Sequence, residues 1–187
     1  MERKVGSVEN LARVIMVDEI IDGVWVLKSV YNYDSRGHFA RLIDLDTIEK
    51  VLPCFKEIKQ VNHSLNRTKG TVRGMHFSAQ LNEAKILKCL RGSLFDVFVD
   101  TRNLTQKLVK KESLTLRSDD QSIVLIAPWI AHGFQTLEDN TELLYFHNIR
   151  YEETIQNGIN PLDLTLKIDW PLPITQISDK DRSWNLI

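Results

Sequence analysis

The chain has 187 residues and a formal net charge of −1, with 43% hydrophobic and 26% charged side chains, the balance of an ordinary soluble globular protein. Nothing in it is basic enough to make nucleic acid the default partner, so an anionic ligand must be met by a local group of Arg and Lys. A chain of this length can bury roughly 70% of its unfolded surface and needs no staple to fold.

The opening MERKVGSVEN has no apolar stretch of the signal-peptide kind. The run VIMVDEIIDGVWVL is interrupted by Asp18, Glu19 and Asp22, which excludes a membrane span. The expectation is a cytoplasmic protein with no membrane association. No repeat, low-complexity tract or linker is evident, so residues 1–187 read as one domain. Cys54 and Cys89 form no CxxC pair and read as two small buried apolar side chains in a reducing compartment.

In chain order, VWVLKSVY, KILKCL, SLFDVFVD, SIVLIAP and TELLYFHNI are short runs rich in branched and aromatic residues, separated by turn chemistry such as NYDSRG, RG, TRN and LEDN. Strands broken every eight to twelve residues or so indicate an all-β sandwich or barrel. Helices are few. Asp46 followed by Glu49 has capping-box spacing for a short helix through Val51, which Pro53 stops. A further helical turn is expected near Arg150 to Thr154. The Pro-broken C-terminal stretch from Asn160 to Trp184 is expected to wrap over the sheet without forming a central strand.

Several residues can carry chemistry, each beside a blander reading. In GTVRGMHF, His76 near a strand end suits a base at neutral pH, although a lone histidine there is more commonly structural. Strict alternation sets Arg73 and His76 on opposite strand faces, so a bulge must turn one of them. Lys85 opens the KILKCL strand, where it either is solvated or stabilises negative charge in a barrel mouth. His132 lies in AHGF, read as leading into a Gly-Phe turn. In TELLYFHNI, alternation groups Leu143, Tyr145 and His147 on one face, making Tyr145 either a core aromatic or a phenolic acid. Asp181 in ISDKDRSW is either solvated or folded back onto a histidine. Arg36 and Arg73 are diphosphate candidates through their planar forks.

Together these motifs change the reading. DSRGHFAR, GTVRGMHF, EAKILKCLRGSLFDVFVDTR, APWIAHGFQTLEDNTELLYF and DWP with ISDKDRSW resemble the dTDP-4-dehydrorhamnose 3,5-epimerase family of the cupin superfamily, over about residues 24 to 184. The resemblance implies a jelly-roll β-barrel with a few short flanking helices, a homodimer, no metal or organic cofactor, and a nucleotide-diphosphate sugar as substrate. It implies that His76 is the base, Asp181 its acidic partner and Tyr145 the acid on the opposite face. Lys85 and His132 then surround the sugar, while Arg36, Gln60, Asn62, Arg73 and Lys180 hold the substrate's nucleotide diphosphate. The sequence departs from the family at Ser78, where a Gln is common, in the loop after it, about one residue short, at Trp129 and Ile130, and in GINPLD. Three other readings stand beside this one: a related epimerase or ketoisomerase on another nucleotide sugar; a metal-dependent cupin using His76, Glu83 and His132; and a non-catalytic binding module.

Overall fold

The computed structural model describes residues 13–104 and 109–187. Its strands are β1 (Val14–Ile21), β2 (Val24–Ser29), β3 (Tyr31–Asp34), β4 (Gly37–Ala40), β5 (Gln60–Asn66), β6 (Val72–Ser78), β7 (Lys85–Arg91), β8 (Ser93–Asp100), β9 (Lys111–Arg117), β10 (Ser122–Ile126), β11 (Ile130–Thr136), β12 (Thr141–His147) and β13 (Gln156–Gly158). Two antiparallel sheets face each other, ordered β1-β2-β10-β7-β12-β5 and β13-β6-β11-β8-β9; β3 and β4 form a separate hairpin. The five runs singled out above coincide with β2–β3, β7, β8, β10 and β12. This is the expected jelly-roll architecture.

Alternation explains the layering. On β8, Leu94 and Phe98 face the other sheet and join Leu27, Ile86, Leu125 and Phe134 in the main core. The neighbouring Val97 and Val99 face outward and pack with Met75, Ile159, Leu166, Ile168 and Trp170 in a second cluster. The C-terminal stretch supplies much of that cover and so wraps over the five-stranded sheet as its prolines suggest. Each fully buried Leu or Phe contributes about 1.5–3 kcal/mol relative to exposure.

Three local expectations shift. The first helix, α1 (Leu45–Val51), is capped by Asp44, whose side chain accepts from the Thr47 N–H; Asp46 falls inside the first turn. Both acids have capping chemistry, and the one lying just before Leu45 takes the role. AHGF is not a turn: His132 and Gly133 lie inside β11, fully paired to β8. Gly133 serves packing there, since a Cβ would sit 2.5 Å from the Met75 sulfur. Cys89 is buried and free, but Cys54 is exposed. The helical turn near Arg150 is a 3-10 turn at Tyr151–Glu153, and a second helix, α2 (Asp179–Arg182), closes the C-terminal stretch. No helix among the described residues is long and apolar enough to cross a membrane.

Candidate active site

A cavity of about 280 Å³ opens between the two sheets. The six-stranded sheet contributes Asn62, Ser64, Lys85, Tyr145 and His147; the five-stranded sheet contributes Arg73, His76, His132, Phe134 and Gln156. Strand register assembles the two walls. His76 on β6 lies directly opposite His132 on β11. Tyr145 on β12 is flanked by Asn62 on β5 and Leu87 on β7, and His147 by Gln60 and Lys85. The grouping of Leu143, Tyr145 and His147 on one face is therefore as alternation predicts.

The required bulge in β6 is present. The β6–β11 pairing runs from His132–His76 to Phe134–Arg73, so two steps on one strand match three on the other. Both Arg73 and His76 thereby reach the cavity. Gly74 makes this possible: its φ is +121°, and a Cβ there would stand 2.5 Å from the Gly133 Cα.

Three imidazole–carboxylate pairs ring the cavity. His76 Nε2 lies 2.6 Å from Asp181 Oδ1, while Asp181 Oδ2 accepts the Gly74 N–H at 3.3 Å. Asp181 is held in place because Ser178 caps α2 by accepting the Asp181 N–H. Burial opposes its charge, yet the His76 and Gly74 contacts hold the carboxyl below the usual aspartate range. His132 Nε2 lies 2.5 Å from Asp96 Oδ1. Asp96 is completely buried, and that burial pushes its carboxyl up against the pull of His132. His147 Nδ1 lies 3.0 Å from Glu83 Oε1, and the Lys85 ammonium stands 3.3 Å from Glu83 Oε2. Burial acts against the Glu83 charge, but His147 and Lys85 together hold it down at about 2.

Tyr145 sits between two of these pairs. Its ring stacks on His147 at 6.1 Å and meets His132 edge-on at 6.4 Å. Enclosure and the nearby Asp96 raise its hydroxyl above the ordinary phenol range, with Arg73 opposing. The phenol therefore keeps its proton until a stronger base forms beside it.

Of the residues expected from the sequence, His76, Tyr145, Arg73, Lys85, His132 and Asn62 line the cavity, and Asp181 stands behind His76. Gln60 is one step back, donating to Asn62. Lys85, which has a solvated alternative, is buried. Two expectations do not converge within one chain. Arg36 lies on the β3–β4 hairpin, which pairs only with itself, and its fork is taken by Asp34 at 2.6 Å with the side chain 87% exposed. Lys180 is exposed on α2 and rests over the Trp184 ring.

Glu83, Asp96 and His147 are the functional groups that sequence reasoning missed in these roles. Asp96 carried a signal: it is the acid at the centre of SLFDVFVD, where an apolar run gives it no reason to exist except a partner across the core. As for metal chemistry, among the described residues no three His, Cys, Asp or Glu side chains converge as a cradle. His76, Glu83 and His132 are each committed to separate partners.

An imidazole–carboxylate pair on one wall and a proton-holding phenol on the other are groups able to do acid–base chemistry inside a jelly-roll barrel. Residues 18–187 match the family model described as dTDP-4-dehydrorhamnose 3,5-epimerase. A Mycobacterium tuberculosis protein of that name is 32% identical over 166 residues, 86% of this chain and 81% of the relative. A Streptomyces niveus relative named dTDP-4-dehydrorhamnose 3-epimerase is 31% identical over 163 residues, 87% of this chain and 78% of its own. A solved Bacillus anthracis dTDP-4-dehydrorhamnose 3,5-epimerase, with TDP and PPi bound, superposes with a TM-score of 0.85 at 26% identity, covering 94% of this chain and 100% of that one. The chain belongs to the dTDP-4-dehydrorhamnose 3,5-epimerase family, and is thus an isomerase of the epimerase kind.

Proposed function

We propose that this protein epimerises a dTDP-linked 4-keto-6-deoxy sugar by removing and replacing a proton on carbon next to the C4 ketone, without a cofactor. One observation carries the reading: His76 on the five-stranded sheet, backed by Asp181 from α2, faces Tyr145 on the six-stranded sheet across a single cavity. Inversion needs a base and an acid on opposite faces of the ring, and the two sheets supply one each.

The geometry supports the following steps. Asp181 occupies His76 Nε2, which leaves Nδ1 as the bare nitrogen that takes the C–H proton. The C–H electron pair moves into the ring as an enolate, and the keto oxygen gains negative charge. Lys85, with His132 nearby, stabilises that oxygen. Asp181 stabilises the imidazolium that forms. Tyr145 then donates its proton to the opposite face of the carbon, and solvent restores both groups. Arg73 binds the diphosphate, with Asn62 beside it and Gln60 one step behind.

Arg36 fits this picture in a homodimer, where its hairpin reaches the cavity of a second copy. Sedimentation at twice the 21.7 kDa chain mass supports that arrangement, and a monomer at working concentration refutes it. The reading places a single catalytic domain in the cytoplasm, serving deoxysugar synthesis. Incubating the protein with dTDP-4-keto-6-deoxyglucose and following the sugar protons by NMR tests the activity. New signals of an epimerised sugar are expected; an unchanged substrate in the presence of folded protein contradicts it.

A further inference from the structure

The Glu83–His147 pair has no part in the steps above, yet both residues line the same cavity. It ends a continuous chain of hydrogen bonds. The Tyr151 backbone N–H donates to Gln60 Oε1 at 2.9 Å, and Gln60 Nε2 donates to Asn62 Oδ1 at 2.9 Å. Asn62 Nδ2 lies 3.3 Å from His147 Nε2, and His147 Nδ1 lies 3.0 Å from Glu83 Oε1.

Both ends of this chain have a fixed sense. A backbone N–H can only donate, and an ionised carboxylate can only accept. Glu83 is ionised, being held by the Lys85 ammonium at 3.3 Å. Every link between must therefore run one way. His147 carries its proton on Nδ1 and leaves Nε2 bare. Asn62 must turn its NH2 group toward His147, with its carbonyl spent on Gln60. One N–H of Asn62 then remains for the cavity, next to the remaining N–H groups of Lys85. What Asn62 and Lys85 present to the cavity is therefore N–H donors.

We propose that His147 is a positioning residue: braced by Glu83, it fixes the Asn62 carboxamide so that the six-stranded wall presents N–H donors to an oxygen-rich, anionic ligand. This rests on the nucleotide-sugar reading and names the device that selects acceptor oxygens on that wall. A protonated or oppositely tautomerised His147 would present N–H to Asn62, draw the Asn62 carbonyl toward itself, set the Asn62 NH2 against the Gln60 NH2 and weaken binding.

The test is a double-mutant cycle on dTDP binding and turnover, using His147→Phe, Asn62→Ala and the pair. His147→Phe keeps a ring against Tyr145 and removes both nitrogens. It should raise the dTDP Kd and KM about tenfold, the size of one lost hydrogen bond to a charged acceptor, with the loss falling more on KM than on kcat. In the Asn62→Ala background the same change should have no further effect. Full additivity overturns the proposal. A nitrogen-15 NMR spectrum of the wild type gives a second measurement that no variant can confound. The neutral Nδ1–H tautomer of His147 at pH 7 is expected, and the Nε2–H tautomer overturns the inference. Wild type that binds no dTDP contradicts the nucleotide-sugar reading instead, and the tautomer measurement then tests His147 independently of that ligand.

Discussion

Asp181→Asn replaces one oxygen by an NH2 group without changing shape, and the structure fixes which way the new amide must face. The Gly74 N–H points at Asp181 Oδ2 from 3.3 Å and can only donate, so the amide oxygen must stay on that side. The NH2 group then faces His76 Nε2 and forces the proton of the imidazole onto Nδ1, the nitrogen assigned as the base. Restoring the active tautomer requires turning NH2 toward the Gly74 N–H, which leaves a buried donor unpaired at about 1–3 kcal/mol. Losing the charge-assisted bond to the imidazolium costs about 1.5–3 kcal/mol more. The sum, about 2.5–6 kcal/mol, corresponds to a fall in kcat of roughly 10²–10⁴-fold. KM should move little, because Asp181 does not line the sugar cavity. Steady-state kinetics on dTDP-4-keto-6-deoxyglucose, with thermal unfolding as a check on the fold, reads this directly. A folded variant with kcat within fivefold or so of wild type would refute the tautomer argument.

Tyr145→Phe keeps the ring between His132 and His147 but removes the phenol. It should retain proton exchange at the substrate carbon while losing inverted product by about 10²-fold or more, read by NMR; undiminished epimerisation would show that another group delivers the proton. The second expectation concerns pH. Glu83 is held at about 2 against an ordinary 4.5, so its ionised form stabilises the fold fully above pH 4.5 and that stabilisation is lost as pH falls from 4.5 toward 2. The contribution is on the order of 3 kcal/mol. Urea midpoints across this range should fall less steeply for Glu83→Gln than for wild type, and identical slopes would count against the assignment.

The sequence showed most clearly what depends on local period. Tyr145 and His147 share a face because β12 alternates, and Lys85 opens β7 because the apolar run begins just after it. It could not show what depends on distant chain meeting distant chain. Asp181 reaches His76 only because Ser178 caps a four-residue helix at the end of a stretch that wraps across the sheet. The pattern Ser-Asp-Lys-Asp hints at the cap but not at where it lands. The orientation of Arg73 was the instructive case: alternation demanded an irregularity, and the structure puts it at Gly74. Glu83 was hidden because its histidine partner lies 64 residues away, and Asp96, though conspicuous in its apolar run, finds its partner 36 residues on. Arg36 shows the opposite limit, since within one chain it is exposed, paired to Asp34 and away from the cavity where the motif would have it act.

The central claim is that His76 removes the proton next to the ketone. Position-resolved NMR in deuterated water, comparing wild type with His76→Ala on dTDP-4-keto-6-deoxyglucose, tests it most directly. Wild type should place deuterium on the inverted carbon, and His76→Ala should abolish that incorporation while still binding dTDP. Deuterium entering at the wild-type rate in the His76→Ala protein would contradict the account.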